Sequence, residues 1–319
     1  MRLLFSSMRN EGPQVLEWIA YHLSIGFDHI MIATNDCDDG SKELIEAVGQ
    51  IAPVSHLAND DLGGKSPQNA AYARLQKTDE FARADYLMIL DADEFLNIHT
   101  GDINALTSLM GAHDVLGINW ACFGPSGETA WRNDWVPARF YDRLVPAWGL
   151  YVVGNCKSLI QKPQRFERFF NHAPGKMRDG SDIRVLRDFG ESLVIPSDGK
   201  ARDKMRMNFA YQTEYRHAQI NHYMTKTLAE FRLRIERGRG HKTEDVNSRH
   251  TQDYLDQFNG RHEMTEDRSI DAHLPKARDV FENLLENERV RERYEFTLSN
   301  FKTKILAAHR DHDAHSFKI

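Results

Sequence analysis

Two aspartates stand one residue apart in Asp91-Ala92-Asp93, directly after an apolar run over residues 86–90 that predicts a buried strand. Where the chain turns at the end of such a strand, both carboxylates can converge on one hard cation. Mg²⁺ or Mn²⁺ is typically held by one or two carboxylates, and substrate phosphates supply further ligands. The motif therefore predicts a divalent-metal site. The alternative is a solvated acidic turn in which Asp93 caps a following helix.

A second polar cluster, from Asn35 to Ser41, follows the apolar run over residues 29–33. A carboxylate in this place can accept hydrogen bonds from a ribose hydroxyl or a base N–H, as acids do in dinucleotide-binding folds. Asp39 or Ser41 can also cap the helix that follows. The two interpretations are compatible, because capping alone does not require four polar residues in succession.

The first 120 residues alternate between strand-like and helix-like segments. Four apolar runs, over residues 2–6, 29–33, 53–57 and 86–90, are separated by segments with the spacing of amphipathic helices. This order predicts an α/β layer with right-handed crossovers. The ligand of such a sheet lies at the carboxyl ends of its strands, and the polar clusters stand at those ends. The second of these amphipathic helices is expected over about 41–48. Further strand candidates are residues 114–122, 149–153, 156–161, 192–195 and 217–223, and the chain from residue 224 onward is helical in pattern.

The composition excludes several classes of protein. The 319 residues contain 41 Lys and Arg against 47 Asp and Glu, a formal net charge of −6. Nucleic-acid-binding domains are usually strongly basic, so we expect no nucleic-acid partner. No uncharged apolar run approaches the roughly 18 residues of a membrane helix, so we expect no transmembrane segment. Three widely separated cysteines favour reduced thiols and a cytoplasmic protein.

The basic residues of the second half leave peripheral contact with the inner face of a membrane open. A solvated charged face is the favoured interpretation of such helices.

Five segments occur in order between residues 8 and about 238. They are Met8-Arg9-Asn10-Glu11-Gly12 with residues 16–22, Asn35 to Ser41, Asp91-Ala92-Asp93-Glu94-Phe95-Leu96, Phe123-Gly124-Pro125-Ser126-Gly127 and Asn221-His222-Tyr223-Met224-Thr225-Lys226. Together they resemble the motifs of metal-dependent GT-A glycosyltransferases. More narrowly, they resemble a bacterial family 2-like group related to glycosyltransferase family 92. The joint occurrence of the five is far more specific than any one, and no such motif follows residue 245.

The resemblance implies a Rossmann-like GT-A fold, an α/β fold with a mixed, mostly parallel sheet flanked by helices and a helical C-terminal extension. Residues 1–240 would form the glycosyltransferase domain, with a nucleotide-binding part over 1–114 and an acceptor-binding part over 115–240. Residues 241–319 would form the extension.

The activity implied is the metal-dependent transfer of a hexose from a nucleotide-sugar donor to a saccharide or glycolipid acceptor. The resemblance favours a UDP-sugar, inversion at the sugar carbon and a role in polysaccharide biosynthesis. One alternative is a catalytically degenerate protein that binds a nucleotide sugar without turnover. A sugar-phosphate nucleotidyltransferase is disfavoured, because residues 7–12 lack a glycine-rich phosphate loop.

Residue roles follow from the matching positions. The metal, Mn²⁺ or Mg²⁺, would be held by Asp91, Asp93 and His222. The donor would be bound by Glu11, Asn35, Asp39, Lys65, Asn69, Asp91 and Lys226. Asn35 stands where the family has an aspartate, which weakens a charged contact to the base.

The catalytic base is left open by the sequence. Inversion needs a carboxylate that takes the proton of the acceptor hydroxyl. The segment over 136–140 has Ala138 where the family has an acid, so the candidates are Asp134, Glu128, Asp179 and Asp182. His172 could contact donor or acceptor or only satisfy its loop. Aromatic faces suit sugar rings, but core packing explains most tryptophans, and this half contains Trp120, Trp131, Trp135 and Trp148.

Overall fold

The structure is a computed structural model that describes residues 1–147, 150, 155–198, 203–205, 213–237 and 252–314. Trp148 and four of the five residues of the strand expected over residues 149–153 lie outside these ranges.

Strands and helices alternate over the first 110 residues, and all four expected strands are present. In chain order the elements are β1 (Arg2–Met8), α1 (Gln14–Ser24), β2 (His29–Thr34), α2 (Ser41–Val48), β3 (Val54–Ala58), α3 (Pro67–Leu75), α4 (Asp79–Arg83), β4 (Tyr86–Ile89), β5 (Glu94–Ile98) and α5 (Ile103–Met110).

The remaining described chain contains strands first and helices later, as expected. The elements are β6 (Val115–Phe123), α6 (Val136–Arg139), β7 (Asp142–Leu144), β8 (Cys156–Gln161), β9 (Ile183–Arg187), β10 (Ser192–Ile195), β11 (Ala218–Tyr223), α7 (Leu228–Arg237), α8 (Gln252–Gln257), β12 (Met264–Glu266), α9 (Leu274–Leu285) and α10 (Glu288–Ala314). Short 3₁₀ helices cover Pro163–Arg165 and Ser269–His273.

The strands β3, β2, β1 and β4 lie side by side in this order, and each pairing among them is parallel. Beyond β4 the sheet continues through β8, β6, β9 and β10 with both parallel and antiparallel pairings. The predicted fold class is therefore confirmed: a mixed, mostly parallel α/β sheet flanked by helices. Since β1 to β4 run in one direction, the loops that follow them meet at one edge.

Alternate side chains of β1 enter two different hydrophobic cores. Leu4 packs in the core that contains α1 and α2, whereas Leu3 and Phe5 pack on the opposite face with α3. Because helices cover both faces of the sheet, these strands can be apolar throughout and need no alternation of polar and apolar residues. This explains the unbroken apolar runs in the sequence.

The C-terminal helices pack on the first part of the chain. α9 lies along α1, and α10 contacts α2 and α7. Phe281 and Val290 belong to the same core as Leu16 and Trp18. The domain boundary near residue 240 stays a prediction. α9 and α10 cover an apolar face of α1 and α2 that would be exposed without them.

Candidate functional site

The pairing of β5 with β11 brings the predicted metal ligands together. Asp91 follows β4, Asp93 precedes β5, and the antiparallel register sets His222 opposite Glu94. As a result, His222 Nε2 lies 3.5 Å from Asp93 Oδ2. A strand follows Asp93, so the alternative in which this aspartate caps a helix is wrong.

Asp93 is also paired with Arg234 of α7, whose Nη1 lies 3.1 Å from Oδ2 and which donates to the Met224 carbonyl. Burial alone would raise the pKa of Asp93, but Arg234 and His222 hold it well below its usual range. Asp93 is therefore ionised at neutral pH. Sequence reasoning missed Arg234, although it stands one helical turn after Glu230 and eight residues beyond the last motif.

Asp91 belongs to a buried charge cluster around Lys157 of β8. Lys157 Nζ lies 3.1 Å from Asp91 Oδ2 and 2.8 Å from Glu94 Oε2, and it donates to Asn171 Oδ1 at 2.7 Å. Burial acts to raise the pKa of Asp91, but Lys157 and Asn171 bring it below its usual value. Burial raises the pKa of Glu94 to about 7.

Lys157 was also missed from the sequence, because it belongs to no motif. Its signal is a lysine inside the strand Cys156–Gln161, whose first five residues are all buried. A fully buried lysine requires a negative partner, and two carboxylates supply it here.

The donor types at Asp93 and His222 fit a divalent cation, since Mn²⁺ accepts imidazole alongside carboxylate. Glu94 Oε1 and His222 Nδ1 are buried, lie 4.0 Å apart and have no hydrogen-bond partner among the described residues. Within those residues, no three His, Cys, Asp or Glu side chains are already grouped as a ligand set. Asp91, the third predicted ligand, is paired with Lys157.

Asp39 holds two of the predicted binding loops together. Its Oδ2 accepts the Gly12 N–H at 2.8 Å, and its Oδ1 accepts the Ser41 N–H at 2.9 Å. The structure thus shows the capping interpretation, while a contact from Asp39 to ribose stays a prediction. The neighbouring Asn35 is buried and donates to the Asp36 carboxylate at 3.0 Å.

A cavity of about 340 Å³ opens between these loops, α7 and α10. Lys226 is in its wall and donates to Gln14 Oε1 at 2.8 Å. The charged residues of the wall include both signs. The basic ones are Arg9, Lys226, Arg234 and Lys304, and the acidic ones are Glu11, Asp38, Asp39, Asp93, Glu230 and Glu236.

Two predicted donor-binding residues lie on the surface near α3. Lys65 and Asn69 are both exposed. Their neighbour Gln68 is the residue that reaches the metal motif, with Nε2 3.2 Å from Asp91 Oδ1. The α3 segment therefore does approach Asp91, through a side chain that the sequence did not single out.

The candidate bases lie in different surroundings. Glu128 and Asp134 both contact Arg132, at 3.0 and 2.8 Å, and Asp134 also pairs with Arg278 at 3.2 Å. Asp179 and Asp182 are exposed. Asp179 accepts hydrogen bonds from the backbone and side chain of Ser181.

The aromatic residues of this half are mainly structural in their contacts. Trp120 lies between His172 and His222, with ring centroids 4.9 and 4.3 Å away. His172 Nδ1 donates to the Cys156 carbonyl at 2.9 Å, and burial lowers its pKa to about 3. Trp131 packs on Phe301.

A second cavity, of about 180 Å³, lies between α1, α9 and the segment that carries Asp134. Glu17 is in its wall and accepts the Val136 N–H at 2.9 Å. Burial raises the pKa of Glu17 to about 8. The sequence had placed Glu17 only in the matched stretch 16–22, without a role.

None of the described helices combines the length and the apolar character that crossing a membrane requires.

No protein-family model matches the chain. S. aureus TarS, in the crystal structure of its residues 1–349, is 11% identical with a TM-score of 0.38, and the alignment covers 100% of this chain and 93% of that chain. Its complex with UDP-GlcNAc gives 10% identity, a TM-score of 0.35 and the same coverage. At such TM-scores the similarity is loose, and nothing about the ligands of this chain follows from it.

A glycosyltransferase family 92 protein of Ricinus communis is 24% identical over 164 residues. The aligned part is 50% of this chain and 26% of the relative, so this chain spans about a quarter of that protein's length. Half of this chain is thus similar in sequence to a member of glycosyltransferase family 92, the family that the five motifs resemble.

Proposed function

We propose that the chain is a glycosyltransferase that transfers a sugar from a nucleotide sugar, most simply a UDP-sugar, to a saccharide or glycolipid acceptor. The observation that carries the proposal is the strand-end motif Asp91-Ala92-Asp93 with His222 3.5 Å from Asp93, beside a cavity with four basic side chains. The similarity to a family 92 glycosyltransferase supports the same reaction class.

The basic side chains suit a leaving nucleoside diphosphate. Negative charge grows on the diphosphate as its bond to the sugar breaks, and fixed positive groups stabilise that charge. Lys226 and Arg234 line the cavity at Asp93 and are placed for this role. The ionised Asp91 and Asp93 would hold a divalent cation together with His222, and that cation would offset further charge on the diphosphate.

Inversion requires a base on the acceptor side. Asp134 is in the wall of the second cavity, next to Glu17, whereas Glu128 and Asp179 are not part of it. Asp134 is therefore our first candidate. Its pairing with Arg132 and Arg278 lowers basicity, so one of these guanidinium groups would have to move when the acceptor binds.

The test is nucleotide release from a panel of UDP-, GDP- and TDP-sugars, with Mn²⁺ or with EDTA. We expect release of UDP that needs Mn²⁺ and is lost in Asp93→Asn, because the variant lacks a charged ligand of the cation. Asp85→Asn, an exposed aspartate in the loop before β4, is the matched control and should be fully active. Release that is equal in EDTA would overturn the metal requirement.

The degenerate-binder alternative is favoured by Ala138, which stands where the family has an acid. This alternative predicts that calorimetry detects binding of UDP-sugars, while no donor is turned over with any saccharide acceptor. Loss of turnover in Asp134→Asn with unchanged donor affinity would exclude it and would assign the base. Full activity of that variant would remove Asp134 from the mechanism.

By analogy with the family, we propose that the sugar is added to a cell-surface polysaccharide or glycolipid that is assembled on the inner face of a membrane. Co-sedimentation with vesicles of anionic lipid tests the peripheral contact. An unchanged supernatant fraction at low salt would contradict it.

A further inference from the structure

The C-terminal helix α10 forms one wall of the cavity that reaches Asp93. Phe301 and Lys304 line this cavity together with Asp93, Lys226 and Arg234. No motif of the family resemblance extends into α10. The contribution of this helix is therefore a feature that only the folded chain shows.

Close packing fixes α10 over the two loops that end β1 and β2. A Cβ added to Gly40 would lie 2.7 Å from the Phe296 ring, and one added to Gly12 would lie 3.7 Å from the Phe301 ring. Both glycines have positive φ, so the loops approach the helix in a conformation that other residues rarely adopt. Asn300 Nδ2 also donates to the Asp39 carbonyl at 3.3 Å.

Lys304 extends from this fixed helix to the mouth of the cavity. Its Nζ lies 2.9 Å from Asp38 Oδ1, and Asp38 also accepts a hydrogen bond from Asn10 at 2.9 Å. The Asp38 side chain is 73% exposed, so this ion pair is held weakly in water. An ammonium in such a pair can exchange one anionic partner for another at little cost.

Two other charged residues of the cavity wall, Glu230 and Arg234, have firmer partners. Glu230 pairs with the buried Arg139 at 3.0 Å, and Arg234 pairs with Asp93 at 3.1 Å. Lys226 is bonded to the neutral amide of Gln14. Lys226 and Lys304 are thus the two ammonium groups of this wall that are paired with a neutral or an exposed partner.

We propose that α10 completes the donor site, with Lys304 contacting the phosphates of the nucleoside diphosphate and Phe301 packing beside it. This inference rests on the proposed function and adds a residue outside the region of the motifs. In the ligand-free chain Lys304 pairs with Asp38. When the nucleotide binds, the Lys304 ammonium leaves Asp38 and pairs with a phosphate oxygen.

The test measures the affinity of the full chain for UDP and for uridine by calorimetry, for wild type, Lys304→Met and Lys302→Met. Methionine keeps the apolar stem and removes the charge. Lys302 lies on the same helix and is exposed, so its variant controls for general effects of charge. Thermal unfolding of each variant verifies that the fold is kept.

We expect Lys304→Met to weaken UDP binding by about fivefold, as an exposed charge contact does, and to leave uridine binding unchanged. Lys302→Met should match wild type. The affinity of Lys304→Met for UDP should also depend less steeply on salt than that of wild type, because one ionic contact is gone.

Three outcomes overturn different statements. If wild type does not bind UDP or any other nucleoside diphosphate, the proposed function fails. If wild type binds UDP and the two variants have equal affinities, α10 does not contact the phosphates. If Lys304→Met binds UDP more tightly, the helix is an inhibitory cover and the inference is wrong.

Discussion

The contacts of two fully buried side chains, His22 and Lys157, fix their protonation states. His22 of α1 is fully buried, its Nδ1–H donates to the Trp18 carbonyl at 2.8 Å, and its Nε2 accepts the Leu96 N–H at 3.4 Å. These contacts require the neutral imidazole. Lys157 is the opposite case, because its buried charge is kept by Asp91 and Glu94.

Acid should destabilise the protein through His22. Burial lowers the pKa of His22 to about 3, whereas the unfolded chain titrates near its ordinary 6.5. Between these values the unfolded state binds a proton that the folded state does not, so stability falls as the pH drops below about 6.5. The loss from this one group is roughly 2 kcal/mol at about pH 5.

The measurement is urea unfolding at about pH 7, 6 and 5 for wild type and His22→Gln. We expect the variant to be less stable than wild type at about pH 7. The free energy of unfolding of the variant should fall less steeply with acid, by the equivalent of about one bound proton. His172 is retained in both proteins, so its similar contribution cancels. Parallel pH profiles for the two proteins would contradict the prediction.

At the scale of the elements, the sequence predicts the helices and strands that have a simple hydrophobic pattern. α2, β8 and β10 have the predicted bounds Ser41–Val48, Cys156–Gln161 and Ser192–Ile195, because turns or polar residues delimit each apolar run. β5 was not foreseen, since it is wholly buried yet contains Glu94 and Asn97. These two residues are compatible with burial because Lys157 pairs with Glu94 and Asn97 donates to Ser269 Oγ, and both partners lie far away in sequence.

The close approach of α10 to the β2–α2 loop gives a testable contrast between two glycines. Gly40 and Gly190 both have left-handed φ, at +89° and +98°, but only Gly40 has neighbours where a Cβ would lie. We expect Gly190→Ala to cost about 1 kcal/mol from backbone strain alone. Gly40→Ala should cost a further 1–3 kcal/mol or so from overpacking against Phe296.

Urea unfolding of the two variants measures this difference. Gly40→Ala combined with Phe296→Ala should recover most of the excess, since the ring that the methyl group meets is gone. Equal losses for the two single variants would mean that α10 shifts freely away from the loop.

For the whole molecule, the C-terminal helices are part of the main core. The sequence separated residues 241–319 as an extension because no motif occurs there, and motifs record chemistry, not packing. The structure places Phe281 and Val290 in the core of α1, which a single sequence does not reveal because contacts between distant helices leave no local pattern. The same reason hid Arg234 and Lys157 from the candidate site.

Removal of these helices should therefore unfold the protein. A chain of residues 1–240 would expose the face of α1 that α9 covers, and we expect it to lose its near-UV circular dichroism and its cooperative urea transition. A chain of residues 1–308, which keeps the buried Ile305 and Ala308, is the control and should unfold like the full chain. A cooperative transition in the shorter chain would show an independent domain.

The position of Phe301 and Lys304 on α10 has an evolutionary consequence. Phe301 and Lys304 follow Asp91 and Asp93 by about 210 residues, and α10 contains none of the five motifs. Substitutions in one helix could retune how tightly the diphosphate of the donor is held while every motif stays intact. Homologues that share all five motifs would then differ in their affinity for the donor, and swapping α10 between them would transfer it.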